Sequence, residues 1–213
     1  NIIKNIHKLL EEEDISHKIV NDLFDGIESD LKNEVNLNTK KDLLIYSYRV
    51  AGTVGLMMAK ILKVKNQQSL RCAVDLGVAM QLTNISRDVI EDNNKNRTYI
   101  KADFDSISKT IFLADIFYQS SFPAIKNIPI FSRFSILVAR RIYKRIGYEI
   151  LSQKNLETYN NAGKIYVSAL GKVVETFLSF FDFIKLFFVS SNEQEKHNEH
   201  IMLHEEINLD ERI

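Results

Sequence analysis

The chain is poor in the residues that punctuate or staple a fold. Its 213 residues include two prolines, seven glycines and one cysteine. A single cysteine, Cys72, excludes an internal disulfide, and its place in an apolar stretch reads as a small core residue rather than a nucleophile. So few turn formers leave little material for a β architecture and suit long helices. An excess of charge of one sign is missing too. The 28 Lys plus Arg balance 28 Asp plus Glu, so nothing points to nucleic acid. No internal repeat is found. The most apolar run, Val173 to Ser191, is interrupted by Glu175, Asp182 and Lys185, which argues against a bilayer span. The run is expected to be a buried closing helix, with an aromatic face lying on a membrane as the alternative. What remains is 45% hydrophobic and 26% charged, the composition of an ordinary soluble globule of one domain, and with so few turn formers an all-α fold is expected.

The richest stretch is Asp75 to Tyr99. Val74, Val78, Leu82, Ile85 and Val89 recur at the period of a helix face. Gly77, Gln81, Asn84, Asp88, Glu91 and Asp92 form the opposite stripe. Three acids within five residues repel one another on a helix, and a cation between them relieves that cost. Carboxylates with neutral amide oxygens suit Mg²⁺, with Mn²⁺ as a substitute, usually completed by phosphate. The expected metal ligands are Asn84, Asp88, Glu91 and Asp92. Arg87, Lys95 and Arg97 flank the acids and suit the same anion. The plainer reading is a solvated face with an acidic end. Gln81 and Asn84 continue the stripe up a helix that is otherwise Ala, Val, Leu and Met, which favours a polar patch in an apolar setting.

Elsewhere the elements follow in order. Ile2, Ile3, Ile6, Leu9 and Leu10 keep a helical period, so the chain is expected to open inside a helix, as a fragment would, with no signal peptide expected. Ser16 or Asp14 caps a second helix, whose acids Asp22, Asp25, Glu28 and Asp30 read as scaffold rather than as metal ligands. Asn38 and Thr39 cap a helix from about Lys41 to Val64. Tyr46, Arg49, Val50, Thr53, Val54 and Met57 share one of its sides. Gly52 and Gly55 imply close helix packing or room for a ligand. Pro123 and Pro129 mark a bend before a helix from about Ile130 to Ser152. On that helix Tyr143 alone reads as half-buried packing. Residues 1–189 form the expected domain and 190–213 a polar, disordered tail. In that tail His197, His200 and His204 are spaced to share a helix face, and a metal site there is not expected.

Three of these segments carry a resemblance. QLTNISRDVIEDNNKNRTYI is similar to the second aspartate-rich motif of the squalene/phytoene synthase family. YSYRVAGTVGLMM, from Tyr46 to Met58, resembles its VAGTVG helix, and IPIFSRFSILVARRIY its late helix. The resemblance implies an isoprenoid (terpenoid) synthase-type helical bundle, incomplete at its N-terminus. It implies a Mg²⁺-dependent prenyltransferase that joins two geranylgeranyl diphosphates head to head, through a cyclopropyl diphosphate and without NADPH. Asp88, Asp92, Tyr46 and Tyr143 would be catalytic. Gln81, Asn84, Arg87, Arg97, Val50, Val54, Gly55 and Lys164 would bind substrate, with Lys164 standing where the family has an arginine. The family's first acidic motif is not found in residues 1–19, so the chain is expected to hold half of the metal machinery. The segment between Tyr99 and Tyr118 is shorter than in relatives. Condensation of farnesyl diphosphate to squalene or hydroxysqualene, and a noncatalytic binding or assembly homologue, are the alternatives. The expected location is cytoplasmic, with peripheral contact at the inner face of the membrane as a variant. Substrate length and oligomeric state are not legible.

Overall fold

The computed structural model describes residues 2–189 and 197–213, apart from the side chain of His204. Among these residues the chain forms ten α-helices: α1 (Ile2–Glu12), α2 (His17–Ser29), α3 (Lys40–Ser47), α4 (Thr53–Ile61), α5 (Gln67–Asn93), α6 (Phe104–Ser121), α7 (Ile130–Leu151), α8 (Leu156–Ala162), α9 (Ala169–Lys185) and α10 (Asn198–Ile207). The only strands among them are β1 (Val35–Asn36) and β2 (Arg97–Thr98), which pair in parallel. The all-α expectation holds.

Helix α5 is the axis of the bundle. Leu70, Val74, Val78, Leu82, Ile85 and Val89 are buried on it, and α4, α6 and α7 pack around it. Apolar side chains on nearly every side suit a helix surrounded by others. Asn66 caps its start by accepting from the Ser69 amide. Thr83 locks it to α6: its hydroxyl donates to the Ala79 carbonyl and lies 3.0 Å from the Tyr118 hydroxyl. Arg140 of α7 completes the interlock. It is buried and donates twice to the Tyr118 carbonyl, at 3.1 and 2.8 Å.

The expected helix from Lys41 to Val64 is helical from Lys40 to Ile61, with a π-helical segment inside it. Thr39 caps α3 through a capping box with Asp42, but residues Tyr48–Gly52 form a π-turn between α3 and α4. At that turn the backbone meets α5 very closely. A Cβ on Gly55 would lie 2.3 Å from the Ala73 carbonyl oxygen, and one on Gly77 2.3 Å from that of Ala51. The glycines are therefore there for helix contact.

Two further expectations are corrected. The tail beyond Ser190 is not disordered where it is described: residues 198–207 form α10, with Leu203, Ile207 and Leu209 buried. Charge fixes it. Arg212 holds the Asp22 carboxylate at 2.6 and 3.0 Å, and Asp22 also accepts from Tyr48 at 2.7 Å. His200 lies 3.1 Å from the buried Asp75. These partners are far away in sequence, which is why polarity alone reads as a loose tail; residues 190–196 lie outside the described part. The second correction concerns α9. It packs on α7 by its polar side, where Arg141 bonds Glu175 at 2.8 Å and Asp182 at 2.9 Å. Phe177, Phe180, Phe181 and Phe188 face outward instead of being buried. Among the described residues no helix is long and apolar enough to cross a membrane.

Candidate active site

A groove runs along the one side of α5 that no described helix covers. Its floor is Ala73, Leu76, Gly77, Met80, Gln81 and Asn84. One wall is Val50, Val54 and Met58 from the π-turn and α4; the other is Ile136, Ala139 and Tyr143 from α7. The cavity measures about 360 Å³ and is almost wholly apolar in its lining. Val54 and Met58 are about half exposed, so the trough is open along its length.

At its polar end the stripe expected from sequence is in place. Gln81 and Asn84 line the cavity, and Asp88, Glu91 and Asp92 follow on the next turns of the same helix. The Asn84 Oδ1 is buried with no hydrogen-bond partner among the described residues. Such an oxygen carries an unmet desolvation cost. The acids are held by cations. Arg87 grips Asp88 in a fork, at 2.9 and 2.7 Å. Lys164, in the extended segment after α8, reaches Asp88 at 3.2 Å and Glu91 at 2.9 Å. Hydrogen bonds from Lys164 and Lys95 pull the Glu91 carboxyl down to about 2. Asp92 behaves oppositely: burial, then the charges of Asp88 and Glu91, push it up to about 6. Among the described residues no three acid, His or Cys side chains gather around one point. Oxygen donors, one of them orphaned, still fit a hard divalent cation in chemistry.

Other expected residues fall elsewhere. Tyr46 does not line the groove. Its ring stacks on Tyr99 at 4.6 Å, and its hydroxyl donates to Asp30 at 2.9 Å with the Tyr99 hydroxyl 3.0 Å away. Burial holds both phenols above their ordinary range. The Asp30 carboxylate draws Tyr46 towards α2, away from the cavity. Arg97 is also off the groove wall: it donates to the Asp30 carbonyl at 3.0 Å, on the Asp92 side of the helix. Gly55 borders the cavity, but its missing side chain makes room for the α5 backbone rather than for a ligand. Sequence reasoning missed Tyr159. Its hydroxyl lies 2.9 and 2.8 Å from the Ser86 and Arg87 carbonyl oxygens and ties α8 to the acidic end of α5. No local pattern signals such a contact across more than 70 residues. It missed the part played by Asp30 as well, although that residue was visible among the scaffold acids.

A sequence model of the squalene/phytoene synthase family matches residues 1–104. A 15-cis-phytoene synthase of Paracoccus sp. is 35% identical over 147 residues, which cover 61% of this chain and 48% of that protein. The phytoene synthase of Thermus thermophilus is 45% identical over 100 residues, 47% of this chain and 34% of that one. The crystal structure of a dehydrosqualene synthase in complex with ligand superposes with a TM-score of 0.62 at 24% identity, over 80% of this chain and 66% of that chain. The fold is therefore that of the isoprenoid synthase helical bundle. The chain spans about half the length of the curated relatives it matches. With the motifs on α4 and α5 in the places described, these matches make the chain similar to the squalene/phytoene synthase family over residues 1–104 and to phytoene synthases over about half of their length.

Proposed function

We propose that the chain binds a prenyl diphosphate, with the hydrocarbon in the α4–α5–α7 groove and the diphosphate at the Asn84–Asp92 end. It does so as part of a phytoene synthase-type prenyltransferase that joins two geranylgeranyl diphosphates head to head. One observation carries the reading: an apolar trough ends, on a single helix, at an orphaned amide oxygen and a set of carboxylates paired with cations. Such a site matches a long apolar chain with a multiply charged head.

The residues then divide the work. Arg87 and Lys164 supply positive charge where diphosphate departs. Asn84, Asp88 and Asp92 would hold a divalent cation such as Mg²⁺, which when bound neutralises charge on the diphosphate. Val50, Val54, Leu76 and Met80 present no polar side-chain atom to a carbocation and keep water from it. Tyr143, at the polar end of the groove, offers its ring face to developing positive charge.

The test uses Val54→Asp, at a half-exposed position that tolerates a charge in the folded state. Calorimetric titration in Mg²⁺ should show geranylgeranyl diphosphate bound about tenfold or more weakly than by wild type, because the chain would bury a carboxylate. Inorganic diphosphate should bind equally well. Unchanged affinity for geranylgeranyl diphosphate would remove the hydrocarbon from this groove.

A further inference from the structure

The groove has a closed end opposite the acids. There the first turn of α5 meets the connector between α6 and α7, a 3₁₀ turn over Pro123–Asn127. Ser69 lines the cavity at this end, together with Leu62, Val64, Ile125 and Ile128. Its hydroxyl accepts from the Asn127 amide at 2.7 Å and donates to Asn66 Oδ1 at 3.1 Å. The turn is held from behind as well. Arg133 donates to the carbonyls of Lys126 and Ile128, and Lys126 donates to the Val189 carbonyl at 2.7 Å. Apolar walls thus end at the buried Ser69 hydroxyl, which the exposed Asn127 amide ties to the turn.

We infer that the Ser69–Asn127 bond, on the turn clamped by Arg133, is the stop that sets the length of prenyl chain the groove accepts. The inference rests on the prenyl diphosphate reading of the same site. Ser69 and Asn84 are separated along α5 by roughly 22 Å, at ~1.5 Å per residue. An extended isoprene repeat of four carbon–carbon bonds advances about 5 Å, given bonds of ~1.5 Å. The trough therefore holds four isoprene units between the polar patch and the stop. A fifth unit meets the stop, where it must lie against the buried Ser69 hydroxyl or break that hydroxyl's bond to Asn127 and push the turn aside. A three-unit chain leaves the end of the trough unfilled.

The test is a length series: geranyl, farnesyl, geranylgeranyl and geranylfarnesyl diphosphate, titrated in Mg²⁺ into the chain and two variants. Wild type should bind more tightly up to geranylgeranyl and about tenfold more weakly at geranylfarnesyl diphosphate. Asn127→Ala unties Ser69 from the turn and should bring geranylfarnesyl close to geranylgeranyl affinity. Ser69→Leu fills the end and should move the optimum down to farnesyl diphosphate. The two shifts have opposite directions, which misfolding does not produce. Geranyl diphosphate does not reach the stop and should bind all three proteins alike. One length profile shared by all three proteins overturns the inference, and so does a loss that includes geranyl diphosphate; both leave the prenyl diphosphate reading standing. Failure of every prenyl diphosphate to bind wild type sinks that reading, and the length stop with it.

Discussion

At the scale of single residues, the close α4–α5 crossing and the acidic end of α5 govern what substitution does. Gly55→Ala and Gly77→Ala each press a methyl group to 2.3 Å from a backbone oxygen. Neither backbone can give way without moving a helix, so each should cost about 3 kcal/mol in denaturant unfolding. A loss below about 0.5 kcal/mol would show that the crossing is looser than these contacts imply. Cys72 is buried, and burial pushes its thiol up to about 12 from an ordinary 9.0. Its alkylation in the native protein should be about a thousandfold slower than that of a free thiol, and should become rapid only on unfolding. Asp92 gives a pH signature in the metal-free protein. Its native carboxyl titrates near 6 against 3.8 when free. The native state therefore binds the extra proton between those values, and the associated stability is present below 3.8 and lost as pH rises through 6. Asp92→Asn should raise the melting temperature above about pH 7 and leave it unchanged near pH ~3.5. An equal gain at both would contradict burial and like-charge repulsion as the source of the shift.

At the scale of elements, helices with a regular apolar period were legible and their partners were not. The span predicted for the long late helix, Ile130 to Ser152, matches α7 at Ile130–Leu151 because Pro129 and the periodicity are local signals. The π-turn at Tyr48–Gly52 left no such signal, since its sequence is compatible with an unbroken helix. For α9, the expected helix is there and the burial of its aromatic residues is not. Burial went to Glu175 and Ser179, with Asp182 partly covered, because Arg141 supplies the counter-charge from α7. Replacing Phe177 and Phe181 by serine should therefore leave the melting temperature within a degree or two and raise solubility; a large drop would mean these rings are packed. The terminal helix gives the opposite case. Arg212→Ala removes a fork onto Asp22 and should cost about 2 kcal/mol. The same change in an Asp22→Asn background should cost much less.

At the scale of the whole molecule, the candidate site was legible to the extent that one helix carries it. Gln81, Asn84, Val50, Val54 and Tyr143 meet at the groove because helical period and family resemblance fix them together. Tyr46 and Arg97 were drawn off by Asp30, a tertiary contact with no trace in local spacing. The closed end of the groove is equally tertiary, made by residues 58 positions apart. The described groove has one acidic helix end, sufficient for one diphosphate. Two such anions in one cavity need counter-charge for both. Purified as it stands, the chain should bind prenyl diphosphate without converting it to phytoene at the rate of a full-length relative. The central claim is that the acidic end of α5 recognises diphosphate through a divalent cation. The most direct measurement is titration of geranylgeranyl diphosphate into wild type and into the Asp88→Asn, Asp92→Asn double variant, each with Mg²⁺ and with chelator. Wild type should bind only with Mg²⁺, and the double variant should show no gain from Mg²⁺ while keeping its helical circular dichroism. Equal binding with and without Mg²⁺ in a folded wild type, or an undiminished Mg²⁺ response in the double variant, would contradict the account.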